Sequence, residues 1–235
     1  MAVINKVTFN NSTSREFSKV VKQRVDQYFS DNNLSKRANT QMVIKTILVL
    51  SLFYGSYALI ISGQFSLGIM WFLSFLMGVG MAGIGFSVSH DALHGAYSSN
   101  NKINRALGFT FDLMGANAYI WKITHNIVHH TYTNIHDHDE DLEIAGFIRL
   151  SPHMEHKSIH RVQHILAFFA YSFATLFWVL IKDYKKFLKP NIGPYNNKDH
   201  PLSEWVILFV TKGLYYSYIL VLTLLLLDIN WIHLV

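Results

Sequence analysis

The chain has 235 residues, of which 51% are hydrophobic and only 15% charged, which is more apolar and less charged than an ordinary soluble domain. It contains 13 histidines and no cysteine, so disulfides, thiolate metal sites and cysteine nucleophiles are excluded together, and any metal has to be held by histidine or carboxylate. The formal charge of +5 suits anionic lipid headgroups or a phosphate-bearing substrate, and because no nucleic-acid motif accompanies it, no nucleic-acid partner is expected.

Residues 1–40 are polar and carry no signal-peptide hydrophobic region, which predicts a cytosolic N-terminal segment ahead of a membrane domain at 41–235. Within it, residues 13–30 read as an amphipathic helix with a capping-box pattern at Thr13 and Glu16. Phe17, Val20, Val21, Val25 and Tyr28 fall on one face, which is expected to pack on the protein itself. Two apolar stretches, about 42–62 and 65–87, are each near the ~20 residues that cross a hydrocarbon core, and only the junction Ser62-Gly63-Gln64 separates them, so they form a helical hairpin. The basic residues before it place the N-terminus inside. In the second helix, Gly78, Ala82 and Gly85 are spaced for close helix approach. The next glycine that could cap it is Gly95. A helix from Phe65 to His94 would measure ~45 Å against a core of ~30 Å, so its last turns protrude into the cytosol.

The polar region that follows has one mildly apolar piece, 106–121, interrupted by Asp112, Gly115 and Asn117, which reads as interfacial or re-entrant. The stretch 165–181 is short for a span and is followed by Lys182, Lys185, Lys186 and Lys189; it is expected to embed without crossing. Residues 205–227 form a third span despite Lys212. The fold class is therefore an all-α polytopic integral membrane protein with a cytosolic, histidine-rich helical cap.

His90 and His94 lie four apart on one face of the protruding helix. His125 and His129 repeat the spacing, and His130 points about 100° away around the helix, so one segment can serve two neighbouring ions. Five imidazoles in two clusters beside a membrane helix are hard to explain structurally, since each would need its own buried partner. Neutral nitrogen ligands suit iron, copper or zinc. Asp91, Asp137, Asp139, Glu140 and Asp141 lie beside or just beyond the clusters, where carboxylates can orient metal-bound imidazoles from behind, and a solvated acidic loop accounts for Asp137 and Glu140. His156, His160 and His164 recur every four residues, and His164 is a further candidate for the metal surroundings; His136, His138, His153, His200 and His233 read as surface or structural. Trp121 and Tyr132 flank the second cluster, where they could line a substrate tunnel or serve as aromatics at the membrane interface.

The pattern His-x-x-x-His at 90–94, then His-x-x-x-His-His at 125–130 followed by Thr131-Tyr132-Thr133-Asn134, resembles the membrane fatty-acid desaturase superfamily. The similarity is greatest to bacterial acyl-CoA or acyl-lipid desaturases of the linoleoyl and front-end type, and it runs from about residue 15 to the end. The resemblance implies a double bond introduced into a fatty-acyl chain by a two-iron centre with dioxygen, His90, His94, His125, His129 and His130 being ligands. It implies a fatty-acyl-CoA or acyl-lipid substrate, and a bacterial inner-membrane location with the histidine boxes cytosolic. No His-Pro-Gly-Gly haem motif occurs, so a separate ferredoxin or cytochrome b5 is the expected reductant. A related hydroxylase or ketolase, or a non-catalytic membrane metal-binding protein, are the alternatives. The family's third histidine box has no counterpart after His130, and the expectation from this is a C-terminally truncated chain that is inactive alone.

Overall fold

Two apolar helices lead the membrane part of the structure, a computed structural model that describes residue 7 and residues 12–139, 141–142, 148–192, 194–196 and 200–227. The chain is mostly helical, the one departure from an all-α fold among the described residues being a hairpin of two-residue strands, β1 (Asn191–Ile192) and β2 (Tyr195–Asn196), paired Asn191 to Asn196 and Ile192 to Tyr195. Among the described residues three helices are long and apolar enough to cross a membrane: α2 (Thr40–Ile61), α3 (Leu67–Leu93) and, last of them, α8 (Leu202–Leu226). Their outward side chains, such as Trp71, Phe75, Phe209 and Leu225, are exposed, as suits a surface that lipid covers.

Helix α1 (Ser12–Asp31) begins one residue before Thr13, which therefore lies inside the helix and not at its cap. Its apolar stripe is not packed on the protein as the sequence suggested: Phe17 is 72% and Tyr28 59% exposed, and Val20, Val21 and Val25 are open too. What holds α1 is its far end, where Asp26 pairs with Lys36 in the short link to α2. That link is fastened in turn: Arg37 donates to the Gly95 carbonyl, and Ala38 N–H to the Tyr97 carbonyl at 2.9 Å.

Helices α2 and α3 form the expected hairpin, but the close approach is not at Gly78, Ala82 and Gly85. Gly78 and Gly85 face open space. A Cβ at Gly80 would lie 2.7 Å from the Phe53 backbone nitrogen, and one at Gly83 2.9 Å from Val49 Cγ1. The spacing rule gives which residues are small, not which of several small faces meets the neighbour. Phe53, fully buried, marks the face chosen.

Helix α3 has 27 residues, roughly 40 Å at 1.5 Å per residue, and so outlasts a ~30 Å core by about two turns. Its C-terminus closes on Gly95 at φ +68°, with Ala96 N–H to Asp91 O (2.8 Å) and Gly95 N–H to Ala92 O (2.9 Å). The piece 106–121 resolves into the end of α4 (Asn101–Leu113) and the start of a helical run at 118–132, called α5. Its interrupting residues are the caps: Gly115, at φ +81°, ends α4 with the same double bond pattern, and the Asn117 side chain accepts from Ile120 N–H to start α5.

The stretch 165–181 is not one helix. Helices α6 (Ser158–Ser172) and α7 (Ala174–Leu188) meet at a 54° bend at Phe173, the geometry of a broken span or a re-entrant loop. Glu140, His233 and the last eight residues lie outside the described ones.

Candidate metal centre

Wide i→i+5 turns precede and contain the histidines: residues 84–89 run directly into His90, and 122–129 carry His125 and His129. Such turns shift the register by about one residue and recur at functional sites. They change what a plain helical wheel predicts. His130, expected to point away, has its ring 4.9 Å from both His94 and His125, so the two histidine segments close into one cluster. The ring nitrogens of His90, His94 and His125 fall within 4.8 Å of one another, and a second group within the same limit is His125, His129 and Asp141.

The helices are held in place by apolar clusters on both sides. Phe53, Ile84, Val88, Leu93, Phe111 and Met114 join α3, α4 and the hairpin; Ile120, Ile123, Val128, Phe187, Ile192 and Leu208 bind the opposite face of α5. Asn126 Nδ2 donates to the Leu93 carbonyl at 3.2 Å and ties the second cluster directly to the end of α3.

Carboxylates back three of the imidazoles. His129 Nδ1 lies 2.9 and 3.0 Å from the two oxygens of Asp139, a residue only 1% exposed, which also accepts from Asn134 and Asp141 N–H. His125 Nδ1 is 3.3 Å from Asp141 Oδ2, and His90 Nδ1 is 3.1 Å from Asp91 Oδ1. A carboxylate on Nδ1 holds the proton there and leaves the Nε2 lone pair free for a metal. Because Asp141 sits at hydrogen-bond distance from His125 and, at 3.5 Å, from His129, the group containing it is an orienting set more than a separate ligand set.

Electrostatics favour neutral imidazoles. Burial, then the neighbouring His90, His125 and His130, lowers the pKa of His94 to about 4, and burial followed by His125 and His129 lowers that of His130. Burial acts upward on Asp141, but the hydrogen bond from His125 and the charge of Lys182 outweigh it and hold the carboxyl below its ordinary range. Neutral His94 and His130 beside the ionised carboxyl of Asp141 suit the donor set a borderline divalent cation requires, so the residues fit such an ion.

Trp121 is closer to this chemistry than a tunnel wall alone would be. Its ring stacks on His125 (4.4 Å between centroids, 22° between planes) and meets His90 and His94 edge-on at 5.6 Å. His164 is exposed at its place in α6 and lies outside both groups. The spacing 156–160–164 does not fall on one α-helical face, since 158–162 is a tighter 3₁₀ turn in which the buried His160 accepts from Lys157 N–H. Tyr132 packs on the second apolar cluster, and His200 meets Tyr119 OH at 3.1 Å. Asp183 and Trp178, which adjoin the site through Phe111, carry no motif by which sequence could single them out.

The sequence model of the fatty acid desaturase family matches residues 26–235. The chain is similar to the sn-1 linoleoyl-lipid 6-desaturase of Synechocystis sp. (36% identity over 187 residues, 80% of this chain and 51% of that protein). It is similar also to the sn-1 linoleoyl-lipid 6-desaturase of Arthrospira platensis (34% over 202 residues, 86% and 54%) and to the acyl-lipid (8-3)-desaturase of Physcomitrium patens (28% over 216 residues, 91% and 45%). The chain thus spans about half the length of these relatives. No solved structure matches it. With the family match running over nearly the whole chain and both histidine motifs inside it, the chain belongs to the fatty acid desaturase family.

Proposed function

We propose that this chain carries the first two histidine boxes of a lipid-metabolic enzyme that introduces a double bond into a fatty-acyl chain, using iron and dioxygen. The observation that carries this reading is the convergence of His90, His94 and His125 within 4.8 Å at the end of a membrane-length helix. His90, His94, His125, His129 and His130 would hold the metal, with two irons expected in the complete protein. Bound iron supplies an oxidant strong enough for an unactivated C–H bond, which no side chain can provide.

The chain's own residues bind and orient. Asp139, Asp141 and Asp91 fix the tautomers of His129, His125 and His90, and Trp121 closes one side of the cluster with an apolar ring. Behind Trp121, Phe111 and Trp178 extend the aromatic surface into the membrane-side core, where an acyl chain would lie shielded from water. In the overall reaction two hydrogens leave adjacent carbons, and two electrons and two protons from a donor complete the reduction of dioxygen to two waters.

The substrate proposed is an acyl chain carried on a lipid, the class named for the relatives, and the reductant a separate ferredoxin or cytochrome b5. The basic residues ahead of α2 favour an N-terminus on the cytosolic side of a bacterial inner membrane. The end of α3 faces the same side, because the start of α2 is bonded to Tyr97 through Ala38 and Thr46. The test is lipid profiling by mass spectrometry of a host expressing the gene that encodes this chain, beside its His125→Ala variant. A product two mass units lighter, made only with His125 present, supports desaturation; a product gaining one oxygen would move the reading to a hydroxylase.

A further inference from the structure

Lys212 sits near the middle of the third membrane-length helix and is 1% exposed, as is its partner Asp183 in α7. A charge buried at that depth is expensive and is kept where it serves something. Its ammonium donates to the Gly115 carbonyl at 2.5 Å and the Val179 carbonyl at 2.8 Å, and forms an ion pair with Asp183 Oδ2 at 2.8 Å. Neither carbonyl is in a regular helical turn. Gly115 is the left-handed cap of α4, and Val179 lies in a wide turn at 178–182.

Both routes from this point end at the imidazoles. Gly115 stands two residues before Asn117, whose side chain starts α5 and so sets the register of His125 and His129. On the other route, Asp183 Oδ1 accepts from Trp178 Nε1 at 2.9 Å. Trp178 meets Phe111 edge-on at 5.4 Å, Phe111 meets Trp121 at 5.7 Å, and Trp121 stacks on His125. The ammonium therefore fastens the third crossing helix, the bent α6–α7 pair and the entry to the histidine helix at one point.

We propose that Lys212 and Asp183 are positioning residues for the imidazole cluster, acting through the Gly115 carbonyl and the Trp178–Phe111–Trp121 ring series. This deepens the metal reading above and rests on it for its effect on metal, not for its effect on Trp121. Removing one partner would strand a buried charge, whereas replacing both with apolar residues of similar size is commonly tolerated. The test is Lys212→Leu/Asp183→Leu in the full chain in detergent, with helix content followed by circular dichroism.

Two readouts are taken. One is the emission of Trp121, obtained by subtracting the same background carrying Trp121→Phe; the other is titration with Co(II), whose d–d bands report coordination geometry. Expected are retained helix content, brighter Trp121 emission as stacking on His125 loosens, shifted Co(II) bands and about tenfold weaker Co(II) binding, the low end of what losing an outer partner costs. Should the double variant lose its helices, Trp178→Phe, which leaves the ion pair whole and cuts only the indole link, takes its place with the same expected directions. Unchanged Trp121 emission and unchanged Co(II) bands in a helical variant would reduce the pair to a packing contact and overturn the proposal. A changed Trp121 emission in a chain that binds no Co(II) even when unmodified would uphold the positioning and sink the metal reading instead.

Discussion

Asp139 is the residue on which the orientation of the second histidine box depends most, since it is almost fully buried and both its oxygens face His129 Nδ1. Asp139→Asn keeps the shape but presents a neutral acceptor. It is expected to weaken divalent-metal binding about 10–100-fold, measured by Co(II) titration, with helix content unchanged. Asp112 offers a different test. Burial, with Asp183 and Glu204 adding to it, raises its pKa to about 7 against the bond from Ala118 N–H. The folded state therefore holds a proton that the unfolded state releases at lower pH, so this group's contribution to stability is full below about 4 and is lost as pH rises to about 7. His94 acts oppositely in the metal-free chain: its pKa is lowered to about 4, so its contribution is present above about 6.5 and lost as pH falls towards 4. The two partly cancel in a simple melting profile. Compared with the unmodified chain, Asp112→Asn should remove the falling component, giving a thermal midpoint that climbs more steeply between pH 4 and 7.

At the scale of elements, the small residues of α3 are distinguishable by what faces them. Gly80→Ala places a methyl against the Phe53 backbone, which cannot swing aside, and is expected to cost stability; Gly78→Ala faces open space and gains helix propensity. Thermal unfolding of the two variants side by side checks the assignment, and an equal effect of both would move the α2–α3 contact to another face. Gly95→Ala asks an L-residue to hold φ +68° at the cap directly after His94, at a cost of about 1 kcal/mol. Fraying there should loosen His94 and lower Co(II) affinity as well as the thermal midpoint. Although the starts capped by Asn39, Asn100 and Asn117 and the end capped by Gly115 were not marked by hydrophobic run length, the helix end at Gly95 was legible in the sequence. The wide turns at 84–89 and 122–129 were not, since hydrophobic spacing alone does not separate an i→i+5 turn from an ordinary one.

For the whole molecule, topology turns on the bent α6–α7 pair. With α6 dipping in and α7 returning, the lysines near the end of α7 and Lys189 just after it stay on the side of the histidines. Lys182, which lies over the Trp178 ring and bears electrostatically on Asp141, fits that placement. A single cysteine at Lys189→Cys in this cysteine-free chain is expected to resist an impermeant reagent applied outside intact cells, and one at Gln64→Cys in the α2–α3 turn to react. Labelling of both would make α6–α7 a true crossing.

The sequence by itself determined the membrane class, the helical hairpin and which residue types could hold a metal, because hydrophobic run length and histidine spacing are local properties of the chain. Only the tertiary structure decided which glycines meet a neighbour, that His130 joins His94, that α1 leaves its apolar face open and that Lys212 reaches the Gly115 carbonyl after α4 and both a carbonyl and a carboxylate of α7. Each of these depends on the rotation and depth at which helices distant in sequence come together. A period read along one helix says which residues share a face, and the neighbouring helix decides what that face meets.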